Sequence, residues 1–76
     1  MEWVVVSYPR VRDVFVDGRR TGQTNVLLIV REGTQVFDLG TPRDYRPSRR
    51  KMAVTKTSEP KPMIITFIPT GSSGNG

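Results

Sequence analysis

The chain has 76 residues, with twelve Lys and Arg against seven Asp and Glu for a formal charge of +5, and it contains neither Cys nor His. A domain of this size buries only about 60% of the surface its unfolded chain exposes, and without Cys it has no disulfide staple, so packing and strand pairing must hold it. The lack of His removes the commonest zinc ligand and general base, and no apolar run nears the roughly 20 residues of a membrane-spanning helix, so this segment is expected not to insert into a membrane.

Residues 3–8, Trp3-Val4-Val5-Val6-Ser7-Tyr8, are β-branched and aromatic and stop at Pro9, which reads as a first strand. Residues 12–16 alternate, with Val14 and Val16 on one face and Asp13, Phe15 and Asp17 on the other. Asp17-Gly18 then supplies a strong hairpin signal. Thr21-Gly22-Gln23-Thr24 is polar and predicts a second turn, with Gly22 available for positive φ.

The apolar run Val26-Leu27-Leu28-Ile29-Val30 predicts a strand. Arg31-Glu32-Gly33-Thr34 reverses it, and residues 35–39 are expected to run back as the second arm of a hairpin. In that arm Gln35, Phe37 and Leu39 share one face. Residues 40–47, with one Gly and two Pro, form a longer connection.

Residues 49–55 alternate again: Arg50, Met52 and Val54 face one way, and Arg49, Lys51, Ala53 and Thr55 the other. A polar turn follows at 56–62, then a final strand at 63–68 ending in Pro69. The reading is all-β, a small antiparallel β-sandwich of about six short strands with no substantial helix, spanning residues 1–69. Residues 70–76 read as a flexible tail.

Residues 1–42 hold five Arg against five acids and sum to zero, whereas residues 43–51 hold Arg43, Arg46, Arg49, Arg50 and Lys51 against Asp44 alone. That basic cluster, with Tyr45 among it, is the candidate site for an anion or partner, because guanidiniums bind carboxylates and phosphates bidentately. The same charges would also serve to keep a sheet edge soluble and unpaired. Catalysis is not expected, since the carboxylates sit in turns and on strand faces with no His or Cys beside them. Neither a metal nor a cofactor is expected, as Asp13, Asp17 and Asp38 are dispersed over separate strands. Trp3 reads as a core residue before a carbohydrate platform, and Phe15 likewise.

Taken together, Ser7-Tyr8-Pro9, the stretch Val14-Phe15-Val16-Asp17-Gly18, Gly22-Gln23-Thr24 and Glu32-Gly33 give the chain a form that resembles the PEGA domain family of small β-sandwich modules. Arg31 and Thr34 stand where that family's name-giving turn has Pro and Ala, and Asp44-Tyr45 where it has Gly-Tyr. The resemblance implies a non-catalytic module of a larger extracytoplasmic protein, serving as a spacer or recognising a cell-envelope polymer or a protein partner. Asp17, Gly18, Gly22, Glu32 and Gly33 would then be structural turn residues. Two alternatives stand beside it: a small basic barrel binding nucleic acid through residues 43–51, and an oligomerisation module.

Overall fold

A run such as Trp3-Val4-Val5-Val6 favours extended backbone, and in the computed structural model, which describes residues 1–70, it becomes the central strand of a sheet. That strand, β1 (Glu2–Ser7), pairs antiparallel with β4 (Leu27–Val30) and parallel with β8 (Met63–Thr66). A second, wholly antiparallel sheet runs in the order β3 (Arg19–Gln23), β2 (Asp13–Val16), β5 (Gly33–Asp38), β7 (Arg50–Val54). A short ladder of β6 (Tyr45–Arg46) and β9 (Ile68–Pro69) completes the set.

The all-β expectation holds. The six strands expected are β1, β2, β4, β5, β7 and β8, and the three additional ones are β3, β6 and β9. The polar β3 reads as a turn in sequence, and the other two are only two residues long. The parallel β1–β8 pair is the exception to antiparallel order.

The Asp17-Gly18 reversal forms as expected, with φ of 51° and 83° at its two central residues. Positive φ at both positions is the turn geometry that matches strand twist in a two-residue hairpin. Asp17 also accepts a hydrogen bond from the Val36 N–H at 2.9 Å, fastening the turn to β5.

Two expectations are corrected. First, β4 and β5 do not form a hairpin: β4 belongs to the three-stranded sheet and β5 to the four-stranded one, so residues 31–32 carry the chain across the sandwich. Gly33 takes φ 121° at that crossing. Second, Gly22 lies inside β3 rather than in a turn. It is small because a Cβ there would sit 2.5 Å from Leu28 Cδ2 of the facing sheet. The positive φ of this region falls on Asn25 instead, at 66°, where its side chain brackets Tyr8 by accepting from the Tyr8 N–H and donating to the Tyr8 carbonyl.

The inward faces of β2, β5 and β7 follow the predicted parity. Val4 and Val6, Val14 and Val16, Leu28 and Val30, Phe37 and Leu39, Val54 and Ile65 are buried between the sheets, joined by Tyr8, Tyr45 and Phe67, with Met52 and Met63 packed on them. Burying each such aliphatic side chain contributes about 1.5–3 kcal/mol. Among the described residues Thr24 and Gln35 are buried and bonded to backbone, whereas the buried Tyr8 hydroxyl has no hydrogen-bond partner. The expected tail at 70–76 lies outside the described residues apart from Thr70, whose N–H donates to the Asp44 carbonyl at 2.9 Å.

Candidate functional site

The connection from β5 to β7 carries the basic cluster, and it is held from inside. Tyr45 is 3% exposed, with its ring edge-on to Phe67 at 5.5 Å and to Tyr8 at 6.4 Å. Its hydroxyl donates to the Gly40 carbonyl at 2.8 Å and accepts from the Leu39 N–H at 3.1 Å. The hydroxyl is therefore dry and spent on backbone. Tyr45, expected beside the anion-binding cations with its ring at the edge of the core and its hydroxyl wet, does pack its ring in the core; the correction concerns the hydroxyl, which clamps the loop beginning at Leu39.

Arg12 supplies the second clamp. Its guanidinium lies over the Tyr45 and Tyr8 rings, at 5.4 and 5.9 Å from their centroids. It donates to Asp44 Oδ1 at 2.7 Å, to the Pro42 carbonyl at 2.8 Å and to the Leu39 carbonyl at 3.3 Å. That hydrogen bond from Arg12 holds the Asp44 carboxyl below the usual carboxylate range. Nothing local in the sequence marks this pair, because the partners are 32 residues apart.

The consequence for electrostatics is direct. Asp44 is the lone acid of residues 43–51, and it is consumed by a cation from outside that segment. Among the described residues the two ion pairs are Arg12–Asp44 and Arg20–Asp13, so Arg43, Arg46, Arg49, Arg50 and Lys51 carry no acidic partner. Arg43 donates only to the Ser48 carbonyl, at 3.4 Å. Arg43, Arg46, Arg49 and Lys51 are exposed and Arg50 is half-buried.

Arg46 and Arg50 line an open groove of about 540 Å³ with Pro47, Thr66 and Ile68. Its walls come from the start of β7, the end of β8 and the β6–β9 ladder. Arg50 Nε is shielded from solvent and has no acceptor. Unpartnered polar atoms of this kind are uncommon in folded proteins. A second groove, of about 300 Å³, also holds two arginines, Arg19 and Arg31, but Asp17 lies among them.

Apart from the exposed Glu59, the remaining carboxylates have structural duties. Glu2 accepts from the Thr57 hydroxyl and N–H, which holds its carboxyl below the usual range. Asp13 pairs with Arg20, Glu32 accepts from Thr55, and Asp38 caps Gly40 N–H. Glu32 and Gly33, expected as turn residues, do stand at the sheet-to-sheet crossing.

Trp3 is corrected as well. Val4 and Val6 face the core, so Trp3 and Val5 must face out, and both are half-buried. Cross-strand register sets Trp3 beside Ile29, and Val5 beside Leu27 and Ile64. With Ser7 and Thr66 these form a sheet face without a single charge. The outer face of the other sheet instead carries Asp13, Asp38 and Lys51 around a half-buried Phe15, whose ring lies against Gly40. The parity of Trp3 against Val4 was the signal that could have revealed this face. Leu27, Ile29 and Ile64 are 40%, 52% and 56% exposed, and a patch of a few hundred Å² is ordinary on a monomer.

No family model, curated protein or solved structure matches the chain.

Proposed function

We propose that this protein is a non-catalytic binding module that engages an anionic partner through the rim formed by Arg43, Arg46, Arg49, Arg50 and Lys51. One observation carries the reading: Arg12 takes up Asp44, so the five rim cations are left without a carboxylate. The likeness to PEGA domains adds the setting, a larger extracytoplasmic protein with a cell-envelope polymer or protein as partner. The structural duties of Glu2, Asp13, Asp17, Glu32, Asp38 and Asp44 support a non-catalytic role.

The nucleic-acid reading loses support with Tyr45. Single-stranded nucleic acid is gripped by base stacking on exposed aromatics beside the cations, and the rim's one aromatic is buried with its hydroxyl engaged. The charge-free face of the β4-β1-β8 sheet favours weak self-association as a second reading. It is made of three exposed aliphatic side chains, Leu27, Ile29 and Ile64, beside half-buried Trp3 and Val5, whereas a standard interface engages about 20–30 residues a side, so dimer should emerge only at high concentration. Mass measured at two concentrations tests it.

The principal test is a titration of labelled DNA, RNA, heparin and an acidic peptide at two salt concentrations. Binding should fall with salt and collapse in the Arg46→Gln, Arg49→Gln, Arg50→Gln, Lys51→Gln variant. Absence of all binding at low salt, or binding indifferent to these substitutions, would overturn the proposal. DNA or RNA bound more tightly than heparin and peptide would restore the nucleic-acid alternative.

A further inference from the structure

The groove at Arg46 and Arg50 sits where both sheets end. β7 is the last strand of the four-stranded sheet and β8 the last of the three-stranded sheet. Each has a neighbour on one side only, and the two strands both line the groove, through Arg50 and Thr66. An edge strand presents a row of N–H and C=O groups that can accept another strand.

Natural edges are commonly blunted by charge placed along the strand. Here the charges of β7 are gathered at its start, Arg50 and Lys51, and Met52-Ala53-Val54 follows without one. The edge is therefore open along most of its length and strongly basic at one end. The groove floor is different again, since Pro47 and Ile68 are apolar and Ile68 is 45% exposed.

We propose that this groove takes an extended acidic polypeptide segment, laid along β7 as an added strand. The inference rests on the basic rim being a binding surface and names its occupant. A carboxylate of the segment pairs with Arg46 and the half-buried Arg50, an arginine without an acidic partner in the chain, whose Nε has no acceptor. A neighbouring apolar side chain rests on Pro47 and Ile68. Main-chain hydrogen bonds to the β7 edge supply affinity, and alternate side chains supply selectivity, as in strand addition generally. A sulfated glycan or nucleic acid carries charge at every unit, and it uses neither the apolar floor nor the strand edge.

The test uses a labelled peptide of alternating Glu and Val, the same peptide N-methylated at alternate residues, a Lys-Val counterpart, and heparin. The Glu-Val peptide should bind, with at least tenfold loss on N-methylation and a comparable loss in Arg46→Gln, Arg50→Gln protein. The Lys-Val peptide should not bind. A Lys61→Gln variant, which removes a charge from the opposite end of the β7–β8 connection, should bind as the parent does, and unchanged thermal midpoints confirm that the variants fold. Equal binding of both Glu-Val peptides overturns strand addition while leaving the basic rim intact. Equal loss in the Lys61 variant would mean that binding follows net charge alone, and it overturns both the groove and the rim as the site. Failure of both the Glu-Val peptide and heparin to bind at low salt brings down the rim as well.

Discussion

Removing one oxygen, in Tyr45→Phe, isolates the clamp on the β5–β7 connection. The phenyl ring keeps its edge-on contacts with Tyr8 and Phe67, so packing is nearly unchanged. What is lost is the acceptor of the buried Leu39 N–H at 3.1 Å and the donor to the Gly40 carbonyl at 2.8 Å. Leaving a buried donor unsatisfied costs about 1–3 kcal/mol, and we take about 2 kcal/mol here because Leu39 itself is 1% exposed. In a domain of this size each kcal/mol moves the thermal midpoint by about 4–8 °C, so a drop of about 8–16 °C is expected. Urea unfolding followed by Trp3 fluorescence and by circular dichroism should give a lower midpoint with unchanged slope, since the surface exposed on unfolding is the same. Affinity for an anionic probe should not change. A loss below about 0.5 kcal/mol would mean the hydroxyl is not desolvated, and weakened probe binding at unaltered stability would return Tyr45 to the contact surface.

Thr24→Val removes a buried hydroxyl that accepts from the Arg12 N–H at 2.9 Å and donates to the Arg10 carbonyl at 2.7 Å. It should cost about 1–3 kcal/mol in the same urea assay despite matching the side chain in shape. Gly40→Ala should be worse than Gly18→Ala. Both take positive φ, at 71° and 83°, which strains any L side chain by about 1–2 kcal/mol, but only at Gly40 does a Cβ meet a neighbour, Phe15 Cε1 at 2.6 Å. The reverse order would refute the packing of Phe15. Stability should also fall in acid. Glu2 and Asp44 have carboxyl groups held below their usual range, so the unfolded chain takes up protons first. Their contribution is complete above about pH 5 and fades as pH drops through about 4 towards the lower folded values. The Glu2→Gln, Asp44→Asn variant should show a shallower acid limb, and an identical limb would sink this assignment.

How much could be read beforehand follows from the range of each interaction. Alternation within a strand is local, so the inward faces of Val14 and Val16, of Phe37 and Leu39 and of Val54 were legible, as was the Asp17-Gly18 turn. Pairing is not local. The chain crosses between sheets at residues 31–32, and a crossing needs the same Gly-containing reversal that a hairpin would. β3 was hidden because its residues are polar and largely exposed, yet β2 pairs it from Val16↔Arg19 to Asp13↔Gln23, with a register shift between Val14 and Phe15. In the candidate site, the cations themselves could be read from composition. The fate of Asp44 and Tyr45 could not, since it depends on Arg12, which reaches the segment only after folding.

The parallel pairing of β1 with β8 has a mechanical consequence. Their register runs from Val4↔Met63 to Ser7↔Thr66, so the backbone enters this pair at one end of the sheet and leaves it at the other. Tension applied through these two strands pulls them lengthwise past each other. The bonds of the ladder then share the load and yield together, whereas a hairpin pulled from its open end peels one bond at a time. Within a longer chain under strain, the segment would behave as a short stiff link of about 20 Å, the length of a six-residue strand, loaded along the direction in which a sheet best resists force.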